Sequence, residues 1–146
     1  MKKIIFDDFK NWTNSNNNFT YINYLETYAN INKIHPDFLI IFSQLFYPNL
    51  ILRDQMVFLE GNFKEDYFNR LVAEDYEPQK IEYWLNLILV SSFFPDDTAY
   101  DDHAEFLCEL LKKCILQKLE REFKHLKFDV ITGCDEDDGY YITFHQ

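Results

Sequence analysis

The sequence is poor in glycine, proline and cysteine, and it has no long apolar run. It contains three glycines, four prolines and three cysteines in 146 residues. Three scattered glycines cannot build a phosphate-cradling loop, so the nucleotide-binding signatures are excluded. An odd number of cysteines without a short spacing argues against a disulfide framework or a zinc site and indicates reduced thiols. The longest apolar runs, such as 38–42 and 87–90, fall well below the roughly 18 residues of a membrane span.

The N-terminus also lacks the apolar stretch of a secretory signal. Only Ile4, Ile5 and Phe6 separate two lysines from two aspartates. A signal peptide needs an apolar region of about 7–15 residues. We therefore expect a cytoplasmic protein that does not associate with membranes.

Basic residues are scarce, with 14 lysines and arginines against 25 acidic residues and a net charge of −11. Phosphate backbones and anionic lipid surfaces repel such a protein, so direct binding of nucleic acid or membrane is not expected. A basic protein partner is favoured instead, because opposite fields speed encounter and help to set specificity. The alternative is that the charge only keeps the protein soluble and monomeric.

Two stretches without lysine or arginine, 93–106 and 128–146, hold most of this excess. The candidate partner-binding residues in them are Asp96, Asp97, Asp101, Asp102, Asp135, Glu136, Asp137, Asp138, Tyr140 and Tyr141. Tyrosine beside acid suits recognition of basic surfaces, and alternation along a strand predicts that one of the two tyrosines is exposed. The structural alternative for the first stretch is that its acids stabilise a helix N-terminus through the helix dipole.

Hydrophobic periodicity predicts a mostly helical chain that ends in β-structure. Predicted helices cover 20–31, 37–46 as a buried helix, 64–74, a segment from 78 to about 93, and 98–123. The Asn-rich segment 11–18 is predicted as a turn, 49–59 is ambiguous, and 128–132 with 140–144 form a hairpin around an acidic loop at 133–139. The fold prediction is α+β, a mostly helical single domain over 1–146 with a C-terminal antiparallel β-hairpin. The hairpin should pack on helices or join 49–59.

No residue constellation points to catalysis or a cofactor. The four histidines share no metal-ligand spacing, and Cys108 and Cys114 lie on the apolar stripe of the last helix. The acidic run at 135–139 does not match an EF-hand, because, counted from Asp135, Gly139 falls at position 5 instead of 6 and Gln146 stands at position 12 in place of glutamate. Tyr21, Tyr24 and Tyr28 lie at helical spacing. We interpret them as core residues in preference to a surface for recognition. We expect a binding protein without a cofactor or metal, not an enzyme.

Two stretches resemble a known class of proteins. The first is Ile81-Glu82-Tyr83-Trp84-Leu85-Asn86-Leu87-Ile88-Leu89. The second runs from the long helix to the end of the sequence, with Leu119-Glu120-Arg121-Glu122-Phe123, then Phe128-Asp129-Val130 and Asp137-Asp138-Gly139-Tyr140-Tyr141-Ile142-Thr143-Phe144-His145-Gln146. Together they resemble small acidic immunity proteins of bacterial contact-dependent growth inhibition and related polymorphic toxin systems. The resemblance covers the chain from about Ile81 onward. It implies a protein that neutralises a cognate toxin domain, often a nuclease, by covering its active site or another surface.

A second function class stays open. A small acidic secretion chaperone or adaptor would hold a partner segment in a groove. An enzyme ranks third. The identity of the partner and the oligomeric state do not follow from the sequence.

Overall fold

The computed structural model describes residues 6–31, 33–95 and 98–146. Its architecture is α+β and mostly helical, with a C-terminal antiparallel β-hairpin, which confirms the predicted fold class. The chain divides into two compact units, Met1–Ser43 and Gln44–Gln146. The single domain predicted over 1–146 stays a prediction, and the two units are described separately.

In its described residues the first unit contains three short helices, α1 (Asp7–Ser15), α2 (Tyr21–Ile31) and α3 (Pro36–Ser43). The predicted helix at 20–31 is confirmed, but most of the Asn-rich segment is helical rather than a turn. Aromatic contacts explain this difference. Trp12 of α1 lies 5.5 Å from Tyr24 and 5.8 Å from Phe19 between ring centroids. Packing of one apolar helix face therefore overrides the local turn preference of asparagine.

The tyrosine stripe of α2 does not fill a core. Tyr21 is 64% exposed. Tyr24 and Tyr28 both donate hydrogen bonds to the carboxylate of Asp8. These bonds lower the pKa of Asp8, whereas burial and the same carboxylate raise the pKa of Tyr24. The stripe thus ties α2 to α1, and its interpretation as core was wrong.

Helix α3 is not buried, contrary to prediction. None of its side chains is buried, and Phe38 and Ile41 are 55% and 65% exposed. Five successive apolar residues at 38–42 cover the whole circumference of a turn of 3.6 residues. A helix that packs on one side must therefore leave some of them exposed.

Where the structure describes it, the second unit contains five strands and three α-helices. They are β1 (Leu50–Arg53), β2 (Met56–Leu59), α4 (Glu65–Ala73), α5 (Pro78–Leu85), β3 (Ile88–Leu89), α6 (Asp101–Glu122), β4 (Asp129–Asp135) and β5 (Gly139–His145). Strands β1 and β2 form one antiparallel hairpin, and a second antiparallel sheet has the order β3-β5-β4. Short 3-10 turns at Val90–Phe93 and Thr98–Tyr100 connect β3 to α6. In the described ranges no helix combines the length and apolar character that crossing a bilayer requires.

Several predicted boundaries change in this unit. The hairpin strands reach Asp135 and Gly139, so the predicted acidic loop is reduced to a turn of three residues. The segment predicted as one helix from 78 to about 93 ends at Leu85, and Ile88–Leu89 pairs with β5. The C-terminal hairpin thus gains its third strand from this segment, whereas 50–59 forms a separate hairpin.

The core lies between α6 and the three-stranded sheet. Cys108, Leu111, Ile115 and Leu119 of α6 are at most 2% exposed and belong to one cluster with strand residues such as Phe144. These positions recur at three and four, as the predicted stripe requires. Burial raises the pKa of the Cys108 thiol to about 12. A smaller cluster joins β2 to α4 and α5.

Two buried polar residues of α5 and its C-terminus connect the two sheets. The N–H of Val57 donates to Glu82 Oε1 at 2.8 Å, and the N–H of Leu59 donates to Asn86 Oδ1 at 2.9 Å. Asn86 Nδ2 donates in turn to the carbonyls of Val57 and Phe144, at 2.9 and 3.2 Å. These side chains satisfy backbone groups that the separate β-ladders leave unpaired.

Candidate functional site

A pocket of about 470 Å³ opens where the β4–β5 turn meets the start of α6. One side is acidic and consists of Asp101 from α6 with Glu136, Asp137 and Asp138 from the turn. The other side consists of Leu89 from β3 with Phe94, Pro95 and Tyr100 from the segment between β3 and α6. We call this cavity the acidic pocket. It brings together residues from both acidic stretches that the sequence singled out.

Hydrogen bonds within the β4–β5 turn stabilise the segment that carries three of these carboxylates. Asp135 Oδ1 accepts the N–H groups of Asp137 at 2.9 Å and Asp138 at 3.4 Å. Gly139 follows with a φ of +73°, in the left-handed region that closes three-residue hairpin turns. The N–H of the next residue, Tyr140, donates to Ser91 Oγ at 2.8 Å. The turn is therefore fixed to the opposite wall of the pocket.

The aromatic wall is a small stack of rings. Phe94 and Tyr100 are stacked with centroids 6.4 Å apart and planes at 21°. His103 of α6 lies edge-on to Tyr100 at 5.8 Å, and its buried Nδ1 has no hydrogen-bond partner among the described residues. Tyr100 remains 39% exposed. It therefore presents ring surface beside the carboxylate of Asp101.

The carboxylates of the acidic pocket are not neutralised by the second unit. Within the described part of the chain, none of the four forms an ion pair with a lysine, arginine or histidine. The cations of α6 lie towards its other end, where Lys118 pairs with Glu122 at 2.7 Å. Met1–Ser43 holds equal numbers of acidic and basic residues, so the whole net charge of −11 belongs to Gln44–Gln146.

The remaining candidate acids have other places. Asp96 and Asp97 lie outside the described residues. Asp102 is exposed on α6 but does not line the acidic pocket. Asp135 also does not line it, since its side chain caps the turn. Of the eight acids predicted to bind a partner, the structure thus places Asp101 and the three turn residues around one cavity.

Tyr140 and Tyr141 point to opposite faces of β5, as alternation requires, but both are half-buried. Tyr140 packs on the main core. Tyr141 covers Gly133 on the neighbouring strand and shares a hydrogen bond with Tyr83, which together with burial raises the pKa of Tyr83 to about 12. The expectation that one ring is exposed was wrong because α5 and α6 cover the two faces of the sheet.

Sequence reasoning missed the neutral half of the acidic pocket. Ser91, Phe94 and Tyr100 line it, but Ser91 and Tyr100 fall within the helices predicted at 78 to about 93 and at 98–123, and Phe94 follows the first of these. Pro95 is the one local signal that the helix does not continue through this segment. Strand β3 before it has two residues, which is too short to show a strand period. Among the described residues, no cluster of histidine, cysteine or acidic side chains has an arrangement that could hold a metal ion.

The fold and the acidic pocket define a small α+β protein with a focused negative surface. No family model, curated protein or solved structure matches the chain. The resemblance to immunity proteins therefore stays a prediction.

Proposed function

We propose that this protein is a cytoplasmic immunity protein that binds a cognate bacterial toxin domain and neutralises it by stoichiometric protein–protein interaction. The observation that carries the proposal is the convergence of two acidic stretches, about 35 residues apart in sequence, on one pocket whose carboxylates form no ion pair within the described part of the chain. In this proposal the chain acts by binding and performs no catalysis.

The charge distribution supports a basic partner. A cleft lined by one sign of charge focuses the field and raises the rate of encounter with an oppositely charged surface. A nuclease needs a positive surface to attract the phosphate backbone. An acidic inhibitor uses that same field, so a basic nuclease domain is the target that fits best.

The first test is rescue of growth. The C-terminal domain of a large toxin encoded directly upstream of this gene is expressed in bacteria with and without the chain. We expect growth to stop without the chain and to continue with it, and the two purified proteins to elute as one complex. A neighbouring domain that is toxic in both cultures, with no complex formed, would contradict the proposal.

The second test addresses the acidic turn. The substitutions Asp135→Asn, Glu136→Gln, Asp137→Asn and Asp138→Asn remove four charges but keep the capping oxygen of residue 135. We expect slower association with the toxin domain and a weaker dependence of that rate on salt. A matched control removes four exposed charges elsewhere, with Glu74→Gln, Asp75→Asn, Glu77→Gln and Glu120→Gln. Equal effects of the two variants would show that total charge, not the turn, drives binding.

The second candidate function is a secretion chaperone or adaptor. The exposed apolar side chains of α3 favour it, because a chaperone needs apolar surface to hold an unfolded segment. The same co-expression experiment separates the two functions. A chaperone would increase the yield or secretion of its neighbour without any toxicity to suppress.

A further inference from the structure

We propose that the acidic pocket receives an arginine side chain of the protein partner, stacked on Tyr100 and paired with the carboxylates of Asp101 and the β4–β5 turn. This inference rests on the proposed function, since it names the group through which the partner is held. It treats the pocket as a specific receptor and not only as a source of negative field.

The aromatic wall is the first argument. A guanidinium group is planar and stacks on aromatic faces, with an attraction that grows as water is excluded. Tyr100 offers a partly exposed ring, and its stacking on Phe94 and edge contact with His103 fix the plane of that ring. The surface that a guanidinium would cover is therefore already oriented.

The carboxylates are the second argument. Arginine presents several N–H donors in a fixed fork that pairs with carboxylates in a bidentate manner. Asp101 of α6 and Asp137 and Asp138 of the turn all line the pocket, and none is engaged by a cation of the described chain. Such a fork therefore finds carboxylate acceptors from two elements in the same pocket, next to the ring on which its plane would rest.

Size is the third argument. The volume of about 470 Å³ lies at the lower end of the range of roughly 300–1,000 Å³ seen for small-molecule sites. It can admit one long side chain with some water, but not a helix or a folded segment. A lysine would reach the same carboxylates, but its compact ammonium is strongly hydrated and makes no planar stack.

The experiment uses the full chain labelled with ¹⁵N and three probes, the N-acetyl amides of arginine, citrulline and lysine. Citrulline matches the shape of arginine without its charge. We expect the arginine probe to shift the amide signals of Ser91, Asp101 and Gly139 in a saturable manner, and the lysine probe to bind more weakly. Citrulline should leave these signals in place. Equal shifts with arginine and citrulline, equal affinity for arginine and lysine, or shifts that never saturate would overturn the inference.

Two variants locate the site. Tyr100→Leu and Asp101→Asn should each weaken arginine binding about twofold to fivefold. Glu120→Gln, an exposed acid outside the acidic pocket, should not change it. A dispersed amide spectrum shows that each variant is folded. If Tyr100→Leu does not fold, the Asp101→Asn variant alone still tests the inference. Unchanged affinity in a folded Asp101→Asn variant would place the probe elsewhere and overturn the inference.

Growth rescue separates this inference from the proposed function. A chain that rescues cells but does not bind the arginine probe overturns the arginine site and leaves the immunity function standing. A chain that binds the arginine probe but rescues no cells supports the site and overturns the immunity function.

Discussion

At the scale of single residues, the rim of the acidic pocket depends on Gly139. This residue has a φ of +73°, and a Cβ added there would lie 2.5 Å from Ser91 Oγ. Side chains other than glycine are disfavoured in that backbone region. The close approach to Ser91 also allows the N–H of Tyr140 to reach the serine oxygen. Backbone geometry and pocket shape are thus set by the same residue.

Gly139→Ala should therefore destabilise the protein. We expect the free energy of unfolding to fall by about 1–3 kcal/mol, because the left-handed conformation becomes strained and Ser91 must move. Urea unfolding followed by circular dichroism measures the change. Gly61→Ala is the control, because a methyl group at that position would meet no atom within 4 Å and its effect should be small. Equal losses for the two variants would show that the turn tolerates a side chain.

At the scale of elements, segments with a clear hydrophobic period were predictable, and the two-residue strand β3 was not. Helix α6 has 22 residues, so its apolar stripe repeats several times, and core residues such as Leu111, Ile115 and Leu119 could be predicted from it. Leu110, which the same spacing includes, is 37% exposed. Strand β3 has two residues, and only its pairing with Ile142 and Tyr141 of β5 defines it. Helix α5 ends where Asn86 turns to the strands, a tertiary interaction that leaves no local pattern.

The candidate site follows the same rule. The acidic stretches are visible in the sequence, but their meeting at one pocket depends on the contact of the hairpin turn with the segment before α6. Neighbouring acids in the run 135–138 also have different roles. Asp135 caps the turn, whereas Asp137 and Asp138 line the pocket. The composition predicted that the site is negatively charged. Only the fold shows which of the acidic residues line the pocket and which have a structural role.

The connection between the two sheets of the second unit can be tested at Asn86. This side chain is fully buried, and its Nδ2 donates to two backbone carbonyls. Asn86→Asp keeps the shape but places a carboxylate oxygen against those carbonyls. We expect the free energy of unfolding at pH 7 to fall by about 3 kcal/mol or more, because a buried charge loses its hydration and faces two acceptors.

Asn69→Asp is the matched control for this prediction. Asn69 is exposed on α4, so the same chemical change should alter stability by less than about 0.5 kcal/mol. Thermal and urea unfolding of both variants give the comparison. A small loss for Asn86→Asp would mean that the hydrogen bonds of this side chain do not hold the sheets together.

At the scale of the whole molecule, the buried core and the net negative charge lie in the same part of the chain. The buried core residues lie in Gln44–Gln146, and the helices α1, α2 and α3 have no buried side chain in their described residues. The net charge and the acidic pocket lie in Gln44–Gln146 as well. The second unit therefore contains both the hydrophobic driving force and the candidate site.

A fragment of residues 44–146 should consequently fold alone and retain the arginine site. We expect a dispersed amide spectrum, one cooperative unfolding transition, and the same arginine-induced shifts as in the full chain. The complementary fragment 1–43 should be largely unfolded, because its helices of 8 to 11 residues are too short to persist without a core. If 44–146 were unfolded while the full chain is folded, residues 1–43 would have to contribute to stability. Their exposed apolar side chains would then have to be explained by a contribution to stability and not by a role in partner binding.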